Sequence, residues 1–427
     1  MDNILPKYPT YKPSGVEWLR EIPEHWELTR LGTRFEERRT KVSDKDYVPL
    51  SVTKNGTIPQ LESAAKSNDG DNRKLVKNGD FVINSRSDRK GSSGISDRDG
   101  SVSLIYIVLE PKDIHPIYCN FLLKSYNFIE EFYRMGHGIV ADLWTTRYDE
   151  MKSIMVGIPS FSEQTAIAAF LDHKTALIDK AIGIKEKQIE LLKERRQILI
   201  HKAVTKGIGS LSGAETTNVK MKDSGVEWIG EIPEHWAVKR AKYLFDEIND
   251  RSGTGDEELL SVSHITGVTP RSEKNVTMFQ SEDYSNSKLC QKGDLIFNIM
   301  WAWMGALGVS DRNGIVSPSY AIYRQKDKKF DSWYIENLLR SVNYVAHYNR
   351  VSTGLHSSRL RFYSTMFFEM AIGYPPLTEQ EEIVTYLKTV EYKISTALSL
   401  KQQEIERLKE YKAILINGVV TGKIKVG

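Results

Sequence analysis

Cysteine is nearly absent from this 427-residue sequence. Cys119 and Cys290 stand far apart, with no CxxC and no histidine at ligand spacing. They read as reduced thiols of a cytoplasmic protein, rather than as metal ligands or nucleophiles. No run of 18 or more apolar residues occurs, which excludes a helical membrane span. The start, MDNILPKYPTYKPSG, lacks a basic stretch followed by an apolar one, so no secretory signal is expected. There is no GxxxxGK[ST] for nucleotide phosphates, no HExxH and no Cys/His metal spacing. An excess of one charge is missing too. Fifty-nine Lys and Arg face 56 Asp and Glu, a net +3, which permits a nucleic-acid partner only through local clusters. What remains, 40% hydrophobic and 27% charged residues, describes a globular chain long enough for about two to four domains.

What is present in abundance is self-similarity. SGVEWLREIPEHW at 14–26 returns as SGVEWIGEIPEHW at 224–236. LSVTKNG (50–56) faces LSVSHITG (260–267), and NGDFVIN (78–84) faces KGDLIFN (292–298). GISDRDG (94–100) faces GVSDRNG (308–314), and IPSFSEQTAIAAFLD (158–172) faces YPPLTEQEEIVTYLK (374–388). The offset creeps from 210 to 216 residues. The chain is two copies of one unit with small insertions in the second.

Each copy has two halves. The first mixes short β-like runs (FVIN, SVSLIYIVL; LIFN, YAIYR) with helical patches such as YCNFLLKSYNFIEEFYR and WYIENLLRSVNYVAHYN. The second half is one long helix that begins near Ser162, Glu163 and Gln164, just after Pro159. Ile178, Ile182, Lys185, Ile189, Leu192, Arg196, Leu199 and Ala203 alternate steps of four and three, a heptad seam. Ile394, Leu398, Lys401, Ile405, Leu408, Lys412, Leu415 and Val419 repeat it in register. Such a narrow stripe needs a partner. Either the two helices pack on each other, antiparallel if the internal two-fold holds, or they join separate chains. The fold class expected is therefore mixed α/β: two similar globular domains separated by two long antiparallel coiled-coil helices. The segments are residues 1–157, 158–207, 208–373 and 374–427.

The repeated opening motif has the spacing of a capping box in Ser14 with Glu17 and Ser224 with Glu227. Ile22-Pro23 then turns the chain, and Trp18 and Trp26 offer large apolar anchors. The motif reads as a dock for the start of each copy, with a ligand role for His25 or His235 as the alternative.

These residues carry a resemblance. The opening SGVEWxxEIPEHW, the KNGD/QKGD turn before an apolar strand, and the passage from IPSFSEQ to KAVTKG with its second copy, YPPLTEQ to VVTGK, resemble the specificity (HsdS-like) subunit of type I restriction–modification systems over nearly the whole chain. The resemblance implies a sequence-specific DNA-binding chain without catalysis of its own. Each globular domain would be a target-recognition domain reading one half of a split site in double-stranded DNA. The helices would hold the domains apart and dock two modification subunits. S-adenosylmethionine, ATP and Mg would sit on partner subunits, namely the adenine methyltransferase and a restriction/translocase subunit. A helix of about 27 residues is roughly 40 Å long, near one turn of DNA. Asn298-Ile299-Met300-Trp301 mimics the ends of the Asn-Pro-Pro-aromatic loop of adenine methyltransferases but lacks both prolines. Asn84-Ser85-Arg86-Ser87 lacks the aromatic as well.

Candidate DNA contacts follow from residue chemistry, because Arg can grip guanine edges and Lys can meet phosphate. In the first domain they are Thr53, Lys54 and Asn55; Arg86, Arg89, Lys90 and Arg98; and Thr145, Thr146 and Arg147. In the second domain NIMWAWMGALG replaces the basic loop, and Trp301 and Trp303 are either core or contact residues. The polar candidates there are Arg350, Ser352, Thr353, His356, Ser357, Ser358, Arg359 and Arg361. Two other classes compete: a coiled-coil adaptor that binds protein only, and a nuclease with an unrecognised metal site.

Overall fold

A computed structural model describes residues 6–61, 70–138, 144–210, 219–274, 283–354, 356 and 360–426. Two compact units divide the chain: residues 1–187 with 401–427, and residues 188–400.

The first unit is built on a four-stranded antiparallel sheet in the order Ser93–Ile95, Phe81–Asn84, Tyr106–Pro111, Phe35–Glu37. All four residues of FVIN are buried, because both faces of the sheet are covered. Phe81 and Ile83 point to the main core, with Ile107 and Leu109. Val82 and Val108 point the other way, to Leu50, Val52, Val76 and Val102. This is the two-residue period of a strand. Two helices, Pro116–Leu123 and Tyr126–Arg134, close the main core, capped by His115 and Ser125. The second unit repeats the plan: Leu307–Val309, Leu295–Asn298, Tyr320–Gln325, Phe245–Ile248. Leu295 and Phe297 face one core there, and Ile296 and Ile322 the other. The repeated Gly-Asp turn is structural. Asp80 is gripped by Arg38 at 2.7 and 3.1 Å, and Asp294 by Arg324 at 2.8 Å twice.

The strand Met155–Ile158 pairs with Glu27–Arg30, and Ala371–Tyr374 pairs with Ala237–Arg240. Each pairing lays an opening motif beside the residues that start a long helix. The helices run Phe161–Lys206 and Leu377–Val420. Glu163, in the first turn, accepts from Tyr8 OH at 2.6 Å and Trp26 Nε1 at 3.1 Å, with His25 Nε2 at 2.9 Å. Glu379 likewise meets Trp236 Nε1 at 3.2 Å and His235 Nε2 at 2.6 Å. The next residue ties the helix to the other side of its unit. Gln164 Oε1 accepts from His115 N, and Gln380 Oε1 accepts from Asp331 N. The opening motif is thus a clamp on the helix start.

Ser14 and Ser224 do not cap helices. Each hydroxyl accepts from the N–H two residues on, at Val16 and Val226, in a turn between two short strands. A short Ser-centred turn and a helix cap draw on the same hydroxyl geometry, and the chain here turns back before a helix can form. The first long helix also starts one step earlier than Ser162. Ser160 accepts from Glu163 N at 3.3 Å, and Ser162 lies inside the first turn.

In the first unit Lys185 Nζ donates to Glu404 Oε2 at 2.6 Å and Lys412 Nζ to Asp179 at 2.7 Å. Partner numbers fall as the first helix rises, so these stretches run antiparallel. Ile178, Ile405 and Leu415 are buried in this seam, flanked by Ile182 and Leu408. In the second unit Ile394 is buried, and Ile189, Leu192, Leu199 and Leu398 are half-buried. Arg196 NH1 there lies 3.9 Å from Glu391. One residue ahead of seam positions, Leu177, Ile184, Leu191 and Ile198 recur every seven residues at 45–54% exposure. No described helix is long and apolar enough to cross a membrane.

Replacing Glu163 by Ala leaves the buried Trp26 N–H and the Tyr8 hydroxyl without their acceptor. Urea unfolding of the first unit is expected to lose about 1–3 kcal/mol. Glu379→Ala should cost the second unit less, since Glu379 is met by two side chains rather than three among the described residues.

Candidate nucleic-acid interface

In the first unit the strand Phe81–Asn84 ends at Ser85, and the basic loop hangs from that end. Ser87–Arg89 forms one turn of 3-10 helix. A second segment, described at 137–138 and 144–147, is tied to it: Thr146 N donates to Ser85 O at 3.0 Å and Ser87 N to Trp144 O at 2.9 Å. Arg86 sits opposite Thr145 in this join. The tight turn after Leu50–Thr53, with Gly56 at φ +112°, carries Thr53, Lys54 and Asn55.

Two clefts meet at Arg86. One, of about 800 Å³, is lined by Thr53, Lys54, Arg86 and Arg89, with Arg73 and Tyr106. The other, of about 550 Å³, is lined by Arg86, Thr145 and Arg147, with Arg39, Lys41 and Lys74. Lys54, Arg86 and Arg89 make no ion pair among the described residues, and all three are exposed. Arg73, by contrast, is buried against Ser101, and burial lowers the affinity of its guanidinium for the proton. Burial likewise pushes the Tyr106 hydroxyl up.

The remaining candidates separate. Lys90 is paired with Glu130 at 2.6 Å and Arg98 with Asp97 at 2.7 and 2.8 Å. Arg98 also lies at the wrong end. Strand 93–95 runs antiparallel to strand 81–84, with Ile95 opposite Phe81, so Arg98 follows at the strand's start while Arg86 follows its finish. Thr146 is wholly buried and its hydroxyl donates to Phe132 O. It anchors the loop and offers nothing to a ligand. Thr53 shapes its hairpin, donating to Gly56 O and accepting from Asn55 N. Arg39, Lys41 and Lys74 were not among the candidates. Lys41 and Lys74 become neighbours only through strand pairing, which no local pattern announces.

The second unit hangs different chemistry on the same frame. Phe362 N donates to Ile299 O at 2.9 Å, joining residues 299–304 to the stretch beside Arg361. Trp301 is 46% exposed, and Met300 and Met304 are 37% exposed. The Trp301 and Trp303 rings stack at 5.9 Å, and Ala302, not a tryptophan, is the buried member. Thr353 and Arg361 exchange two backbone hydrogen bonds, and Arg350, Thr353, His356 and Arg361 are exposed. Ser352 ends the helix Val342–Val351, and its hydroxyl is buried without a partner among the described residues. Ser357, Ser358 and Arg359 lie outside the described residues. Beneath Arg350, His347 stacks on Trp228 at 4.2 Å, and burial, then the nearby Arg350 guanidinium, push its imidazole down to about 4. The two cysteines are buried and their thiols pushed up, Cys290 to about 11, chiefly by burial.

No family model matches the chain. Its sequence is similar to the type I restriction enzyme MjaVIII specificity subunit of Methanocaldococcus jannaschii, 24% identical over 95% of this chain and 94% of the relative. It is 22% identical to the MjaX specificity subunit, named as putative, of the same organism, over 95% of each. It is 23% identical to the EcoDI specificity subunit of Escherichia coli, over 68% of each. Among solved structures, a chain from a type I R-M system matches with a TM-score of 0.63 at 15% identity, covering 93% of this chain and 98% of that one. The HsdS subunit from Thermoanaerobacter tengcongensis matches with a TM-score of 0.52 at 15% identity, covering 94% and 98%. The fold, mixed α/β with long helices, is HsdS-like.

His347 gives the second unit a pH signature. Its folded pKa, about 4, lies below the ordinary 6.5, so the unfolded chain binds the extra proton first. Stability of this unit should therefore fall as pH drops from about 6.5 towards 4, and the contribution is complete above that window. The thermal midpoint of His347→Gln should fall less over this range than that of the unaltered protein. Part of the slope should remain, because burial, then Lys206, lowers His201 too.

Proposed function

We infer that this chain is the DNA-specificity subunit of a type I restriction–modification complex. It reads a bipartite double-stranded target, one half-site per unit, and directs adenine methylation and cleavage by partner subunits. The observation that carries this reading is the likeness to curated specificity subunits along 95% of the chain. The site chemistry supports it: each unit presents two tied loops at the same strand end, basic in the first and aromatic in the second. Exposed arginines without ion-pair partners suit base edges and phosphates, and stacked tryptophans suit sugars and thymine methyls. The half-sites should accordingly differ in sequence.

On this reading the chain is not an enzyme. S-adenosylmethionine, ATP and Mg belong to the partners, and the complex works in the cytoplasm. The two long helices act as an antiparallel coiled coil that spaces the recognition domains. The exposed apolar residues on them fit two modification subunits. Leu177, Ile184 and Ile414 serve in the first unit, and Leu191, Ile198 and Leu400 in the second.

Arg86→Ala should weaken DNA binding by about 1–3 kcal/mol and relax one position if Arg86 meets a base edge. Lys54→Ala, at a phosphate, should weaken all sequences alike and lower the salt slope by about one contact. Arg98→Ala should leave binding unchanged. Fluorescence anisotropy with the modification subunits present checks all three. If Arg98→Ala weakened binding while Arg86→Ala did not, the interface would lie elsewhere.

A second test exchanges residues 1–157 for those of a relative. Methylome sequencing should show one half-site altered and the other kept. A change in both would refute independent recognition.

A further inference from the structure

We propose that Lys288 and Arg251 of the second unit hold one backbone phosphate of the DNA. This rests on the DNA-specificity reading above and adds a contact that neither loop of that unit supplies. Lys288 opens the strand Lys288–Cys290, and Arg251 lies opposite it in an isolated bridge. They take the places of Lys74 and Lys41, which pair across strands in the first unit and line the cleft of about 550 Å³ beside Arg86. Lys288 is only 7% exposed, yet its ammonium makes no hydrogen bond or ion pair among the described residues. It is not one of the polar atoms sealed from solvent, so it stays open to a ligand. Burial holds its affinity for the proton below that of an ordinary lysine; Glu247 opposes this from a distance, and Arg251 adds to it.

The repeat shows how the partner was lost. In the first unit Lys74 Nζ donates to Glu37 Oε1 at 3.0 Å and to Tyr106 O at 2.9 Å. Glu247 stands where Glu37 does, but its Oε1 accepts from Ser364 Oγ at 2.7 Å, and Ser364 in turn accepts from Tyr323 OH at 3.1 Å. The residue matching Ser364 is Tyr148, whose hydroxyl donates to Phe35 O and leaves Glu37 to its lysine. In the second unit the carboxylate is therefore drawn aside. Arg251 gives NH1 to Asn286 O at 2.9 Å and is otherwise exposed, with no carboxylate within ion-pair distance among the described residues. A buried ammonium without a partner is costly, and like charges on neighbouring strands repel. An anion from outside relieves both. A phosphodiester suits them, taking the ammonium as a point charge and the guanidinium as a fork. The position favours DNA over a free anion, since the matching residues of the first unit share their cleft with Arg86, Thr145 and Arg147.

Lys288→Met keeps the length of the side chain and removes its charge. The urea midpoint of the full chain should rise, because an unpaired buried charge is gone, whereas Lys74→Met, which breaks a pair, should lower it. With the modification subunits present and the target defined by methylome sequencing, Lys288→Met should weaken DNA binding about tenfold and lower the salt slope by about one contact. Neutral methylphosphonate links, placed one at a time along the target, locate that contact. One link in the second half-site should weaken binding by the unaltered chain and have no effect on Lys288→Met. Arg251→Gln should lose sensitivity to the same link, and Arg86→Ala should keep it. A lower urea midpoint for Lys288→Met, DNA binding equal to that of the unaltered chain, or no link that depends on Lys288 would overturn the proposal. If Arg86→Ala still weakens binding in that series, the DNA-specificity reading survives; if the unaltered complex binds no DNA, both fall. Inorganic phosphate tests the other source. A midpoint that phosphate raises in the unaltered chain but not in Lys288→Met, with DNA binding unaltered, gives the site to a free anion and refutes its assignment to DNA.

Discussion

One carboxylate per unit holds the architecture together. Glu163 and Glu379 sit in the first turn of the long helices, where a negative charge is favoured by the helix dipole. Each accepts from the indole N–H of a buried tryptophan at the end of an opening motif. Trp26 and Trp236 are almost wholly buried, so their N–H groups need an acceptor inside the protein. The carboxylate meets that need and fixes the angle at which the helix leaves the domain. The adjacent Gln fixes the same turn from the opposite side. Gln164 holds His115 N and Pro159 O, and Gln380 holds Asp331 N, Lys329 O and Pro375 O. A repeated Glu-Gln pair thus joins three pieces of chain that sequence keeps apart.

With the frame so fixed, the loops are free to diverge. The basic loop after Asn84 and the aromatic loop after Asn298 leave equivalent strand ends, and each is pinned to a second segment through backbone hydrogen bonds, two in the first unit and one in the second. Neither pin depends on side-chain identity. Even the structural Asp shows this tolerance. Asp80 takes its arginine from just beyond the strand Phe35–Glu37, whereas Asp294 takes one from the strand Tyr320–Gln325. The requirement is a guanidinium beside the turn, and either of two strands of the sheet can bring it. A scaffold satisfied through backbone and a few buried polar pairs can carry arginines in one copy and tryptophans in the other.

How much of this the sequence discloses depends on the range of the interaction. The two-copy organisation is visible directly, since SGVEWLREIPEHW and SGVEWIGEIPEHW need no structure to compare. The helices are visible because the step of three and four from Ile178 to Ala203 is local. Runs such as FVIN and LIFN announce strands for the same reason. What pairs with what is another matter. Glu163 reads locally as a residue of a helix start, and its partner Trp26 lies 137 positions away. Arg98 reads as one more cation in a glycine- and serine-rich stretch, and only strand direction sends it to the far end from Arg86. Thr146 and Thr145 look alike in sequence, and only packing beneath Phe132 buries one of them.

The clamp also explains why the motif occurs twice in one chain. Each tryptophan meets a helix start from its own copy and a helix end from the other. A side chain at Gly422, the turn that follows the second helix, would strike Pro23 Cδ and approach Trp26, and its φ of +74° favours glycine. Lys423 donates to Glu21 O and Lys425 N to Pro6 O, so the last residues of the chain complete the first domain. Gly207, after the first helix, stands in the same relation to Trp236 and Glu379 at φ +76°. Val204 O there accepts from the buried Tyr334 hydroxyl. A single copy therefore holds a clamp and a helix start but not the helix end that seals them. Each core is completed by the other copy's helix end, Leu415, Val419 and Val420 in the first unit and Ala203 and Val204 in the second.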